Sequence, residues 1–228
     1  MEITTKTEKT TKTAVYFMPG LAASSSIFER IELPKAHFDC FLLDWFVPDK
    51  DESLQDYAKK MAAFVVHKNA VLIGVSFGGI LVQEMAAFLN LKKVIIISSI
   101  KNNTELPPHM KLAKLTKAYK ILPTGLIENV DILTKYAFGN QLKQRFALYE
   151  RYLKMKDKTY LDWGIKQVVC WNRAKSDAKV IHIHGDADDV FPVKNLTNYI
   201  NVKGGTHLMI LSRFRWFNQH LPGIITES

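Results

Sequence analysis

Apolar residues along this chain fall into two patterns that alternate in order. Unbroken apolar runs of strand length occupy Thr13 to Pro19, Phe38 to Trp45, Ala70 to Ser76, Val94 to Ser98 and Lys179 to Gly185, and Tyr199 to Gly204 has room for a shorter one. Between them apolar positions recur at helical spacing. After a capping pair, Ser53 and Asp56, the series is Leu54, Tyr57, Ala58, Met61, Phe64 and Val65. A second series, Ile80, Leu81, Val82, Met85, Ala86, Phe88 and Leu89, runs to about Asn90. Pro192 opens a third helix to about Ile200, and His207 to His220 closes the chain with Leu208, Ile210, Leu211, Phe214 and Phe217. Strands that are apolar throughout are covered on both faces, so the pattern predicts an α/β fold: a parallel sheet flanked by helices. The Phe38 run reads as a buried strand like the rest.

From Asn102 to about Asp177 the alternation stops. Helical segments are punctuated there by Pro107-Pro108, Pro123-Thr124-Gly125 and Gly139-Asn140, and the stretch reads as a helical insertion over the sheet edge. Residues 1–12, rich in Thr and Lys, read as a flexible tail. The expected organisation is one domain, 13–228, carrying a helical cap at about 102–177.

One junction in this pattern carries candidate chemistry. Val71-Leu72-Ile73 leads into Gly74-Val75-Ser76-Phe77-Gly78-Gly79, and the helical series begins at once. Strand, tight turn and helix around Gly-x-Ser-x-Gly form the context of a nucleophile elbow. The glycines at 74 and 78 fit places where strand and helix nearly touch, and the helix start aims free N–H groups at the same spot. Ser76 is the candidate nucleophile. It needs a base, and the base needs an acid to orient it.

Composition narrows the setting. Lys and Arg number 31 against 22 Asp and Glu, a formal charge of +9. No nucleic-acid-binding signature accompanies that charge, so no nucleic-acid partner is expected. The two cysteines, Cys40 and Cys170, lie in apolar-aromatic surroundings and read as reduced and buried. No Cys/His cluster has metal-ligand spacing. Met1 to Thr13 lacks the apolar core of a signal peptide, and no run is long enough to span a bilayer, so a cytoplasmic protein is expected.

Two later runs complete the chemistry. His184-Gly185-Asp186-Ala187-Asp188-Asp189-Val190-Phe191-Pro192 follows a strand, and Gly204-Gly205-Thr206-His207-Leu208 lies near the C-terminus. With the elbow, these runs resemble the α/β-hydrolase superfamily in its small esterase-like members, over about Thr13 to Leu221. The resemblance implies an α/β-hydrolase fold. Twelve polar residues cannot supply the family's first two strands, so the sheet is expected to be truncated to about six strands, mainly parallel. It implies Asp188 as triad acid, with Asp186 and Asp189 open as competitors, and His207 as base. It implies an oxyanion hole from the N–H groups of Leu21 and Phe77, although Pro19-Gly20 stands where the family usually has His-Gly. No cofactor is implied. His182 and His184 alternate on a strand and read as structural.

The resemblance further implies a serine hydrolase acting on a small-molecule ester or thioester through an acyl-enzyme. A lyase, a perhydrolase, a C–C hydrolase and a weakly catalytic binding or signalling protein remain open on the same residues. The insertion would form a lid. Its Lys111, Lys114, Lys117 and Lys120, with Leu112, Leu115 and Tyr119 between them, suggest a basic face able to receive a carrier-linked substrate. Phe28, Tyr119, Tyr136, Phe138, Trp163 and Trp171 are candidates for an acyl pocket or for ordinary core. The oligomeric state is open.

Overall fold

A computed structural model describes residues 12–121 and 151–227. Residues 1–11 of the expected tail, the Pro123 and Gly139 breaks, Tyr136 and Phe138 lie outside the described residues.

The sheet is built from β1 (Thr13–Met18), β2 (Phe38–Leu42), β3 (Ala70–Val75), β4 (Leu91–Ile97), β5 (Val180–Gly185) and β6 (Ile200–Val202). It has six strands in the order β2-β1-β3-β4-β5-β6, and all five pairings are parallel. Phe17 pairs with Ile73, Ile73 with Ile95, and Ile95 with Ile181, so β-branched and aromatic rows cross the sheet in register.

Alternate residues of each strand feed two cores. Tyr16, Met18, Leu72 and Ile96 face α1 (Leu54–Ala62) and α2 (Phe77–Met85); Val15, Phe17, Ile73 and Ile97 face the C-terminal helices. Covering on both faces is what makes these strands apolar throughout.

Four elements depart from the expectation. β2 is an edge strand: Asp39 and Cys40 are exposed and Leu42 is 55% exposed, since among the described residues no strand lies beyond it. Cys40 is therefore exposed and Cys170 half-buried, against the expected buried pair. Between β5 and β6 the expected helix is a single 3-10 turn, Val193–Asn195. The turn ends where Leu196 takes an extended conformation (φ −106°, ψ 154°), and beyond it Lys101 Nζ donates to the carbonyls of Thr197, at 2.5 Å, and Asn198, at 3.1 Å. In the 102–177 stretch, α3 (Pro108–Thr116) stops because Lys117 takes a left-handed conformation (φ 58°), so the lysine row does not continue along one helix. Lys111 and Lys114 donate to the Thr104 and Cys170 carbonyls.

Returning from that stretch, α4 (Lys158–Cys170) packs Tyr160, Leu161 and Trp163 onto α2 and the end of β1. Asp157 caps it, accepting from the Tyr160 N–H at 2.9 Å. The chain closes with α5 (Met209–Ser212) and α6 (Phe214–Thr226) in place of one helix. Among the described residues no helix is long and apolar enough to cross a membrane.

Candidate active site

At the carboxyl end of the sheet, β3 turns into α2 through Ser76. Its backbone sits at φ 53°, ψ −120°, a region that costs a non-glycine residue about 1–3 kcal/mol. The neighbouring glycines permit it. A Cβ on Gly74 would lie 2.3 Å from the Gly78 carbonyl oxygen, and one on Gly78 would lie 2.3 Å from the Pro19 oxygen. The second contact also presses the loop after β1 against the start of α2. Ser99 holds the strained turn from below, its Oγ donating to the Ser76 carbonyl at 2.7 Å.

Loops after β5 and β6 bring the two other predicted side chains to this hydroxyl. Ser76 Oγ lies 2.9 Å from His207 Nε2, and His207 Nδ1 lies 2.9 Å from Asp188 Oδ2. Asp188 Oδ1 accepts the backbone N–H groups of Val190 and Phe191, each at 2.9 Å. Burial pushes the Asp188 carboxyl up, but His207 beside it and hydrogen bonds from His184 and His207 outweigh burial and hold it well below the usual carboxylate range. An ionised carboxylate there fixes the ring with its Nδ1 protonated and Nε2 free to accept.

The competing aspartates lie elsewhere. Asp186 accepts the Gly204 N–H at 2.6 Å and so pins the turn that leads to His207. Asp189 is exposed, and burial with the nearby Asp188 raises its carboxyl above the usual range.

Leu21 lies in the loop after β1, where a Cβ on Gly20 would stand 3.4 Å from Ser76 Cβ. Among the described residues no acceptor takes the backbone N–H of Leu21 or of Phe77. The loop is held from several sides. Trp45 Nε1 donates to the Gly20 carbonyl at 2.8 Å, and the Trp45 ring stacks on Phe77 with centroids 4.8 Å apart. The Ala22 N–H donates to the buried Tyr160 hydroxyl at 3.3 Å. Ser24 N–H donates to the Tyr152 carbonyl at 2.8 Å, and Met155 N–H to the Ala22 carbonyl at 3.1 Å. Residues 152–155 thus form a strap across the loop.

Of the aromatic candidates among the described residues, Trp163 is in this cluster, 5.7 Å from Phe77 and donating through Nε1 to the Glu52 carbonyl at 2.8 Å. Phe28 packs on Phe17 in the opposite core, and Trp171 Nε1 donates to Glu84. Sequence reasoning missed Trp45, Tyr160, Ser99 and His184. The last carried a signal, the His-x-His alternation that puts His182 and His184 on one strand face. Among the described residues no group of three or more His, Cys, Asp or Glu could hold a metal ion.

No family model and no curated protein matches the sequence. Solved structures do match. A hydrolase from Pseudomonas aeruginosa PA01 is 16% identical, with a TM-score of 0.69 over 95% of this chain and 91% of that one. A carboxylesterase structure from the thaumarchaeon Nitrososphaera gargenis is 16% identical, with a TM-score of 0.67 over 95% and 92%. A bromoperoxidase from Bacillus anthracis is 17% identical, with a TM-score of 0.65 over 95% and 93%. At these identities the likeness is one of fold: the chain has the α/β-hydrolase fold.

Proposed function

We propose that the protein is a serine hydrolase that cleaves a small carboxylic ester or thioester through a covalent acyl-enzyme. One observation carries the reading: a serine on a strained strand–helix turn lies 2.9 Å from a histidine whose other nitrogen is held by a buried carboxylate. In this reading Ser76 Oγ attacks the substrate carbonyl carbon while its proton passes to His207 Nε2. Asp188 keeps the ring oriented and stabilises the imidazolium. The tetrahedral oxyanion is received by the N–H groups of Leu21 and Phe77, each such donor being worth about 3–4 kcal/mol in comparable sites. Collapse transfers the His207 proton to the departing alkoxide or thiolate. Water, deprotonated by His207, then releases the acid and restores Ser76.

Carboxylesterases among the proteins of similar fold support the ester reading. A carrier-linked substrate has less support, because Lys111 and Lys114 are engaged with backbone carbonyls and the row breaks at Lys117. Labelling with a fluorophosphonate probe, alongside hydrolysis of p-nitrophenyl esters of graded acyl length, tests the reading. Wild type should take the label and show a chain-length optimum. Ser76→Ala should lose both, with kcat falling by a factor on the order of 10⁶. A wild type that neither labels nor turns over would transfer the fold to a binding role.

A further inference from the structure

Asp188 has a second histidine. His184 Nε2 lies 3.3 Å from Asp188 Oδ2, the oxygen that also receives His207, and 2.9 Å from the Phe191 carbonyl oxygen. His184 Nδ1 in turn lies 3.0 Å from His182 Nε2. Both rings are buried, His184 completely. The chain Ser76–His207–Asp188–His184–His182 is therefore continuous, and its last two members do no work in the mechanism above.

The acceptors fix the tautomers. His184 Nε2 faces a carboxylate and a carbonyl, neither of which can donate, so it carries a proton. In a neutral His184 ring Nδ1 is then an acceptor, and His182 must donate to it through Nε2. Burial, followed by the neighbouring His184 and Lys101, holds His182 well below the usual histidine range, so it stays neutral. With these tautomers the Nε2–H groups of His182 and His184 both run toward Asp188, while the Ser99 backbone also approaches the His182 ring.

We propose that His184, oriented by His182, is a positioning residue for the proposed triad: it fixes the Asp188 carboxylate and draws charge from Oδ2, which limits how strongly Asp188 holds a proton on His207. This rests on the serine-hydrolase reading. A base must take the Ser76 proton and then surrender it to the leaving group, so an acid partner that is too basic would trap the imidazolium. The other charged or titratable groups around His184 are His182 on its own strand, Lys101 and Glu105 after β4, Tyr199 before β6 with its ring 6.0 Å away, and Asp189 and His207 beside Asp188. Lys101 is tied to the Thr197 and Asn198 carbonyls, and its backbone N–H donates to Glu105, so neither group reaches Asp188 in place of His184.

The test reads the His207 ring directly. Ring-nitrogen NMR of the wild type should find His182 and His184 as Nε2–H tautomers, with His182 neutral from about pH 5 to pH 9. In His184→Phe, which keeps a ring but removes the donor, the pH at which His207 takes up its proton should rise by about half a unit. The rate of fluorophosphonate labelling should lose its acid limb at a correspondingly higher pH. His184→Gln, whose amide can donate to the same oxygens, should restore the wild-type midpoint; a purely structural role would leave the midpoint unmoved in both variants. An Nδ1–H tautomer at His184, or a His207 midpoint in His184→Phe equal to that of wild type, overturns the proposal. If His184→Phe does not fold, the wild-type tautomers decide, and a His207 midpoint in His184→Gln that departs from wild type would overturn the proposal. A wild type that titrates as described but takes no label would overturn the serine-hydrolase reading while leaving the histidine array intact.

Discussion

The two sides of the Ser76 hydroxyl are held by different parts of the chain. On the acid side, Asp188 and His207 stand only 19 residues apart, on loops after neighbouring strands, and their partners Val190, Phe191 and His184 belong to the same short run. On the oxyanion side, the Gly20–Ala22 loop depends on Trp45, on the Tyr152–Met155 strap and on Tyr160, which lies 138 residues further along the chain from Ala22. One side is a local motif closed on itself. The other is assembled only when α4 and the strap dock. Rearrangement of the cap should therefore alter the oxyanion loop while leaving the Ser76–His207–Asp188 hydrogen bonds in place.

The sharpest way to break this comparison is to damage the acid side alone. In Asp188→Asn the amide oxygen can still accept from Val190 and Phe191, while its NH₂ faces His207 Nδ1 and favours the tautomer with the proton on Nε2. Ser76 could then no longer give up its proton, and kcat should fall about 10⁴-fold, as the same change does in serine proteases. Hydrolysis and labelling rates measure this, and a loss below tenfold would remove Asp188 from the acid role. The variant also separates stability by pH. The folded-state carboxyl is depressed, so its contribution is present above the unfolded value of about 3.9 and is lost as pH falls through the folded one. The stability gap between wild type and Asp188→Asn should therefore narrow in strong acid.

A smaller effect is expected from damaging the oxyanion side alone. Tyr160→Phe keeps the ring, whose centroid is 5.4 Å from that of Trp45, but removes the acceptor for the buried Ala22 N–H. A loosened Leu21 donor should lower kcat about tenfold with KM little changed, the kinetic equivalent of one hydrogen bond. The His207 titration should stay at its wild-type midpoint. If that midpoint moves with Tyr160→Phe, the two sides are coupled and the division between them fails.

Legibility in the sequence follows the same division. The elbow was readable because a Cβ at position 74 or 78 would run into backbone, so the chain states its geometry in glycines. His207 and the aspartate run were readable because each follows its strand directly, although spacing could not say which aspartate faces the ring. That choice depends on the turn that lets Asp188 accept from Val190 and Phe191. The strap and Tyr160 were not readable, because a backbone N–H bound to a hydroxyl 138 residues away leaves no local pattern. Nor was the edge position of β2: the apolar run beginning at Phe38 reads like β3, and only strand order shows that Cys40 and Leu42 face outward. The break after Pro192 was hidden for the same reason: the extended Leu196 leads into carbonyls of Thr197 and Asn198 that are held by Lys101, from another part of the chain.

The smallest expected effect comes from a substitution that touches neither side. Ser53 caps α1: its Oγ accepts from the Asp56 N–H at 3.0 Å and donates to the Asp56 carboxylate at 2.6 Å. The helix packs Tyr57, Ala58 and Met61 against the α2 side of the sheet, so it supports the layer that carries the elbow without contacting Ser76. Ser53→Ala leaves one orphan N–H at the helix start and should cost about 1 kcal/mol of stability in chemical denaturation. Both kcat and the His207 midpoint should remain at their wild-type values, because the backbone of Ser76 is fixed by Gly74, Gly78 and Ser99 and not by the position of α1. A fall in kcat that matches the loss of stability would mean that the elbow's strain is maintained by the whole helical layer, and the local account of the site would have to be widened to include α1.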